Sequence, residues 1–267
     1  MISYESKRLA KKIRKTSLEI VSRSGASHIG SALSIADILA VLYSDVMKFD
    51  STNEQFAERD RLVLSKGHAC VSLYATLHHV GMISEGEIFT YAKDFSNLMS
   101  HISHKVNGVE FSTGALGHGL PFALGKAIAA KVNGERWRTF VIVGDGEMQE
   151  GSNWESLMFA AHHNAANLTL IIDANNLQSL TSVDKTLAIE PLQKKIEAFG
   201  WECSDIDGHD HNQIAKSLAK KTLKPHCIIA RTIKGKGVSY MENQVAWHYK
   251  CPNSEELEIA LKEIDNA

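Results

Sequence analysis

The chain has 267 residues, 44% of them hydrophobic, with only four prolines and a formal net charge of −2. That size and composition suit one large folded domain over residues 1–267 and exclude a disordered or low-complexity chain. The near-neutral charge excludes the global basic field of a nucleic-acid or anionic-membrane binder. Cys70, Cys203, Cys227 and Cys251 lie far apart, without paired metal spacing, and fit a reduced cytoplasmic protein. The first residues lack the apolar core of a signal peptide, and no apolar run is long enough to span a bilayer.

Residues 6–22 interleave basic positions with Leu9, Ile13, Leu18, Ile20 and Val21, which predicts an amphipathic helix with one buried stripe. The small-residue loop Ser24-Gly25-Ala26-Ser27-His28-Ile29-Gly30-Ser31 follows. A second helix is predicted to start near Ser34 as N-cap, with Asp37 three residues on and Ile35, Ile38, Leu39 and Leu42 on its apolar side. Leu62-Val63-Leu64 reads as a short strand running into Ser65-Lys66-Gly67-His68-Ala69, and a helix over about 69–80 leaves that loop. His28 and His68 thus both fall where a small-residue turn meets a helix, whose free N–H groups and positive dipole end favour anions. An irregular stretch, 94–108, carries His101 and His104 and leads into Ser112-Thr113-Gly114-Ala115-Leu116-Gly117-His118-Gly119. Residues 120–132 are dominated by Ala, Leu, Gly and Ile, a pattern of close packing on more than one side. It fits equally a buried central helix and a helix at a subunit seam, with the glycine loop before it touching a ligand.

The β-branched run Val141-Ile142-Val143 then ends abruptly in Gly144-Asp145-Gly146-Glu147, and a helix over about 153–165 follows. A second apolar run, Leu168 to Ile172, ends in Asp173-Ala174-Asn175-Asn176. A helix over 192–199, a strand over 202–206, a helix over 212–221 and the strand His226–Arg231 complete the pattern. Residues 253–267 read as an acidic terminal helix or a partner-facing tail. The strand–helix alternation predicts an α/β fold, a doubly wound, mostly parallel sheet with helices on both faces.

In such a sheet Asp145 and Asn175 emerge at the carboxyl ends of strands, where α/β folds bind ligands. A carboxylate and an amide oxygen there suit a hard divalent cation such as Mg²⁺, shared with phosphates. Gly144 and Gly146 let backbone N–H groups approach a phosphate without a Cβ in the way. Alone, Gly-Asp-Gly is more often just a turn; paired with Asn175 it is far more specific. Most of the 13 histidines need no functional role. His78, His79, His162 and His163 lie in predicted helices, and His209, His211 and His226 near surface turns or strand starts. His28, His68 and His101 differ, because each lies in a small-residue loop that could converge on one ligand, donate to sugar hydroxyls or phosphate, and shuttle protons.

The ordered set Ser27-His28-Ile29-Gly30, Leu64-Ser65-Lys66-Gly67-His68-Ala69, Ser112 to Gly119, Gly144-Asp145-Gly146-Glu147-Met148-Gln149-Glu150-Gly151 and Asn175 resembles transketolase. More narrowly, it is similar to the N-terminal half found as a separate subunit, with the thiamine diphosphate-binding fold of its diphosphate (PP) domain. The resemblance implies transfer of a two-carbon ketol unit from a ketose phosphate to an aldose phosphate. It implies thiamine diphosphate and Mg²⁺, with Ca²⁺ or Mn²⁺ able to substitute. Asp145, Asn175 and the Leu177 carbonyl would hold the metal; His68, Gly144, Gly146, Glu147 and Asn175 would lie at the diphosphate. Gly114, Ala115 and Leu116 would line the aminopyrimidine pocket, His28 and His101 would reach the substrate, His248 resembles the family's late histidine, and Glu150 matches the glutamate linking paired sites across the dimer.

The family's activating glutamate lies on a pyrimidine-binding domain, for which this chain has no counterpart. The resemblance therefore implies a separate C-terminal partner subunit, an α2β2 assembly, and no activity for this chain alone. Two loops depart from the family: Leu177-Gln178-Ser179-Leu180-Thr181-Ser182 after the metal-binding asparagine, and Met99-Ser100-His101-Ile102-Ser103-His104, where His104 could replace His101. Both departures point to an unusual sugar in a specialised pathway. The competing readings are the α subunit of a 2-oxo acid dehydrogenase, a synthase condensing pyruvate with an aldehyde phosphate, and a cofactor-free binding module.

Overall fold

A computed structural model of the chain describes residues 4–53 and 56–267. Five strands, β1 (Arg61–Leu64), β2 (Thr139–Gly144), β3 (Leu168–Ala174), β4 (Glu202–Asp207) and β5 (His226–Arg231), form a sheet in the order β1-β2-β3-β5-β4. Every neighbouring pair is parallel. Parallel strands need long crossovers. After α1 (Tyr4–Ser24), α2 (Ile29–Leu33) and α3 (Ala36–Val41), which precede β1, helices supply them: α4 (Cys70–His79), α5 (Glu85–Ile88) and α6 (Gly119–Val132) before β2, α7 (Gly151–His162) before β3, α8 (Val183–Leu187) and α9 (Leu192–Ala198) before β4, and α10 (His211–Leu218) before β5, with α11 (Ser254–Asn266) following the last strand.

The sheet is buried on both faces, as an all-parallel sheet requires. Along β2, Phe140 and Ile142 join the core under α1, α3, α4 and α10, while Val141 and Val143 join the core under α6, α7 and α9. That period-two alternation is the strand pattern itself. The acidic terminal segment is helix α11 rather than a free tail. Asn253 and Glu256 close its N-terminus reciprocally, and Ala260 and Ile264 pack into the core beside α1. Helix α6 is not buried all round: Leu120, Ala123, Leu124, Ala127 and Ala130 face inward, but Gly125, Ala129 and Val132 are exposed, as are Met158 and Phe159 on neighbouring α7. No helix among the described residues is long and apolar enough to cross a membrane.

Two local expectations are corrected. The helix predicted to start near Ser34 is α3, which begins at Ala36 with Ile35 rather than Ser34 as its N-cap; Ser34 is instead the C-cap of the short α2 before it, whose N-cap His28 has left-handed backbone (φ 74°). The Ser34 hydroxyl donates to the Asp173 carboxylate (2.7 Å), tying this segment to the sheet instead of capping α3. His209 and His211 are not surface groups. Both bond Asp37 (2.7 and 3.1 Å), which Arg14 also grips bidentately (2.9 and 2.5 Å). Burial pushes the Asp37 carboxyl up, but Arg14 and the two histidines outweigh it and hold it well below its ordinary value.

Candidate active site

With all five strands running one way, their carboxyl ends open on a single edge. Gly144 is in register with Asp173, so the loops after β2 and β3 leave the sheet side by side. Asp145 N–H donates to the Asp173 carbonyl (3.2 Å), and Asn176 N–H donates to the Asp145 carboxylate. The loop after β1 brings Lys66 and His68, the N-terminus of α2 brings His28, and the segment after β5 brings Lys234. Together they surround a cleft of about 420 Å³, a volume ordinary for a cofactor or small-molecule site.

Of the residues singled out from sequence, His28, His68, His101, Gly114, Leu116, Gly144, Asp145, Gly146, Glu147, Glu150, Asn175, Leu177 and His248 line this cleft. Ala115 lies between two of them without lining it. His101 lines the cleft and His104 does not. The His104 ring bonds Ser112 Oγ (2.7 Å), and the residue lines a different hollow with Tyr43 and Arg59.

Two ends of the cleft differ in chemistry. At one, Asp145 is a buried carboxylate whose oxygens accept from Gly146 N–H (2.7 Å) and Asn176 N–H. Burial, then the nearby Asp173 charge, pushes its pKa up to about 6. Asn175 is oriented from behind: its Nδ2 donates to Asp173 (3.0 Å), while Oδ1 accepts from Leu177 N–H (3.1 Å). Asp173 is itself held by Lys66, Ser34 and Thr232. Glu147 has both oxygens occupied, by Ser65 Oγ, Gly117 N–H (2.9 Å) and Gly144 N–H (3.2 Å), so its carboxylate shapes the loop. Among the described residues no group of three or more His, Cys, Asp and Glu gathers as a metal site. The oxygens here come from one carboxylate, an amide and a carbonyl.

At the other end four imidazoles meet. His28 lies 5.4 Å from His68, 5.5 Å from His101 and 4.9 Å from His248, centroid to centroid. Burial, then His101 and Lys234, lowers His28 to about 4; burial, then Lys234, lowers His248 to about 3; His68 falls well below its ordinary value and burial lowers His101 too. At neutral pH all four are uncharged. Lys234 links the two ends, donating to the Gln178 carbonyl (3.0 Å) and to His248 Nδ1 (3.0 Å). That bond leaves the His248 proton on Nε2. Burial and Lys66 lower Lys234 to about 8, so it remains cationic at neutral pH. Two buried polar atoms here, His28 Nδ1 and Gln178 Nε2, have no partner among the described residues.

Sequence reasoning assigned no role to Lys66, Gln178, Lys234 or Tyr249, which all line the cleft. The signal for Lys234 was present: it follows the last strand at the edge where ligands bind. What was missing was that β5 inserts between β3 and β4.

The depressed histidines make stability pH-dependent. His28, His79 and His226 each titrate at about 4 in the fold, chiefly because of burial, against an ordinary 6.5. Between those values the unfolded chain binds more protons, so stability falls as pH drops from 6.5 to 4. Asp145, raised to about 6, and Glu147, also raised by burial, work in the opposite sense, but against these three and the likewise lowered His68, His101 and His248. The melting temperature is expected to fall through this window, and to fall less steeply for His226→Gln. A flat or rising profile would refute the buried-neutral assignment.

A family model described as "Transketolase, thiamine diphosphate binding domain" matches residues 5–264. An apulose-4-phosphate transketolase subunit from Actinobacillus succinogenes is 41% identical, over 98% of this chain and 97% of its own length. The 6-deoxy-6-sulfo-D-fructose transketolase subunit of a Clostridium species is 37% identical over 95% and 94%. Homo sapiens transketolase is 34% identical over 96% of this chain, which covers 41% of the human enzyme. The crystal structure of Campylobacter jejuni transketolase superposes with a TM-score of 0.94 at 33% identity, across 99% of this chain and 43% of that one. Fold, cleft and sequence agree: this chain belongs to the transketolase family, as a thiamine diphosphate-dependent transferase component built on the family's cofactor-binding domain.

Proposed function

We propose that the chain is the diphosphate-side subunit of a split transketolase, moving a two-carbon ketol unit between sugars when joined to a pyrimidine-domain partner. The carrying observation is the two-ended cleft, with Asp145, Asn175 and the Leu177 carbonyl at one end and four neutral imidazoles at the other. Thiamine diphosphate and a divalent ion fit it. His28 Nδ1 and Gln178 Nε2 are buried without partners, a cost a bound ligand would relieve, and a Cβ at Gly144 would meet only open space. Bound there, the cofactor supplies the electron sink for bond cleavage beside a carbonyl.

The chain's own residues then divide the work. Asp145, Asn175 Oδ1 and the Leu177 carbonyl hold Mg²⁺, for which Ca²⁺ or Mn²⁺ can stand in. His68, Gly144 and Gly146 receive the diphosphate, with Lys234 neutralising charge nearby, and the loop from Gly114 to Leu116 lines the aminopyrimidine pocket. His28 and His101 bind the sugar hydroxyls and shuttle a proton at the reacting end. His248 donates from Nε2. Glu150, exposed at the N-cap of α7, reaches toward the paired site.

The partner follows from the relatives matched end to end, which are named as subunits. An assembly of two of each draws support from the exposed apolar residues of α6 and α7, a surface of the kind that marks protein contact. Four free cysteines suit a reducing cytoplasm. The departures at 177–182 and 99–104, together with the ketoses named for those relatives, favour a specialised sugar. The test is ketol transfer by this chain with thiamine diphosphate and Mg²⁺, alone and with the partner. Turnover is expected only with the partner; robust turnover by the chain alone would overturn the reading.

A further inference from the structure

Tyr249 is the one aromatic ring besides the histidines among the residues lining the cleft, and the roles above leave it unused. Its backbone is fixed on both sides. Its N–H donates to the Ala246 carbonyl (3.2 Å), its carbonyl accepts from Ser27 Oγ (3.1 Å), and the preceding His248 carbonyl accepts from His28 N–H (2.8 Å). The ring therefore stands on the same frame as the two histidines. Its centroid is 4.8 Å from that of His248 at 68° and 6.1 Å from that of His28 at 58°, so neither imidazole stacks on it. The residue remains 57% exposed. A lone exposed aromatic means little elsewhere on a surface; here it borders the substrate end of a cleft whose other groups are mostly polar.

We propose that Tyr249 is a specificity-determining residue whose ring packs against the sugar's carbon skeleton beyond the part held by His28 and His101. This rests on the ketol-transfer reading. Sugars present C–H faces between their hydroxyls, and pockets commonly pair an apolar platform with a few placed polar groups. The histidines supply the hydrogen bonds and the ring supplies the platform. Because its backbone is pinned, the ring discriminates among sugars by what lies past the transferred carbons: chain length, branching or a bulky substituent.

The test uses the complex reconstituted with the partner subunit. Donors are xylulose 5-phosphate and the two ketoses named for the relatives, apulose 4-phosphate and 6-deoxy-6-sulfo-D-fructose, each with erythrose 4-phosphate as acceptor. Tyr249→Ala is expected to raise donor KM by about 3- to 10-fold, the scale of an aromatic packing contact, and to change the ratio of kcat/KM between the donors. It should leave kcat, cofactor affinity and assembly near wild type, and Tyr249→Phe should retain wild-type values. Unchanged KM and donor ratio in Tyr249→Ala would overturn the proposal, as would loss of the complex, which would make the ring a partner contact. A wild-type complex turning over none of these donors would instead fail the ketol-transfer reading, and this inference with it.

Discussion

Asp145→Ala is expected to abolish Mg²⁺-dependent binding of thiamine diphosphate to the reconstituted complex while leaving the fold intact. Asp145 supplies the only carboxylate among the three proposed metal-holding groups; Asn175 and the Leu177 carbonyl are neutral. Removing it leaves the ion two neutral oxygens facing a charged diphosphate. Outer-sphere partners of a metal are worth about 10- to 100-fold in affinity, so loss of an inner carboxylate should exceed about 100-fold. Asp145→Asn keeps an oxygen without the charge and should fall between. The side chain's structural duties are limited to accepting Gly146 and Asn176 N–H groups, so circular dichroism should be unchanged. Calorimetric titration with cofactor and Mg²⁺ decides it; wild-type affinity in Asp145→Ala would remove the metal from the proposed mechanism.

Lys66→Met carries the largest expected stability loss. Lys66 is 2% exposed and its partner Asp173 0%. Burial pushes Asp173 up, but the Lys66 ammonium outweighs it and holds the carboxyl below its usual range. Without Lys66, Asp173 keeps only the donors Ser34, Thr232 and Asn175 around a buried charge. Stranding one member of such a pair costs about 3–5 kcal/mol, a large share of the roughly 5–15 kcal/mol that holds a domain together. Urea denaturation should show a much lower midpoint, or the protein should fail to accumulate. The double variant Lys66→Met with Asp173→Asn removes both charges and should recover much of the loss. A single variant as stable as wild type, or a double variant no better than the single, would refute the coupling.

Much of the architecture was legible in linear order. Short apolar and β-branched runs, alternating with helical stretches, predicted the five strands and the parallel α/β class, because strands buried on both faces read as near-continuous apolar runs. The motif residues were legible for a related reason: a parallel sheet sends every strand's carboxyl end to one edge, so loops after β1, β2 and β3 had to converge. Short helices without periodic length, α5 and α8, carried no such signal.

Sequence by itself determined the fold class, the family and nearly all of the cleft's predicted lining, since each depends on a local pattern or on strand direction. Tertiary structure alone decided the rest. Insertion of β5 beside β3 placed Lys234 between the Leu177 loop and His248, and that pairing is a long-range choice with no local trace. The same distance in sequence hid the Asp37 cluster, where Arg14, His209 and His211 meet from separate elements. It also separated His101 from His104, three residues apart in one irregular loop: the fold places His101 in the cleft and bonds the His104 ring to Ser112.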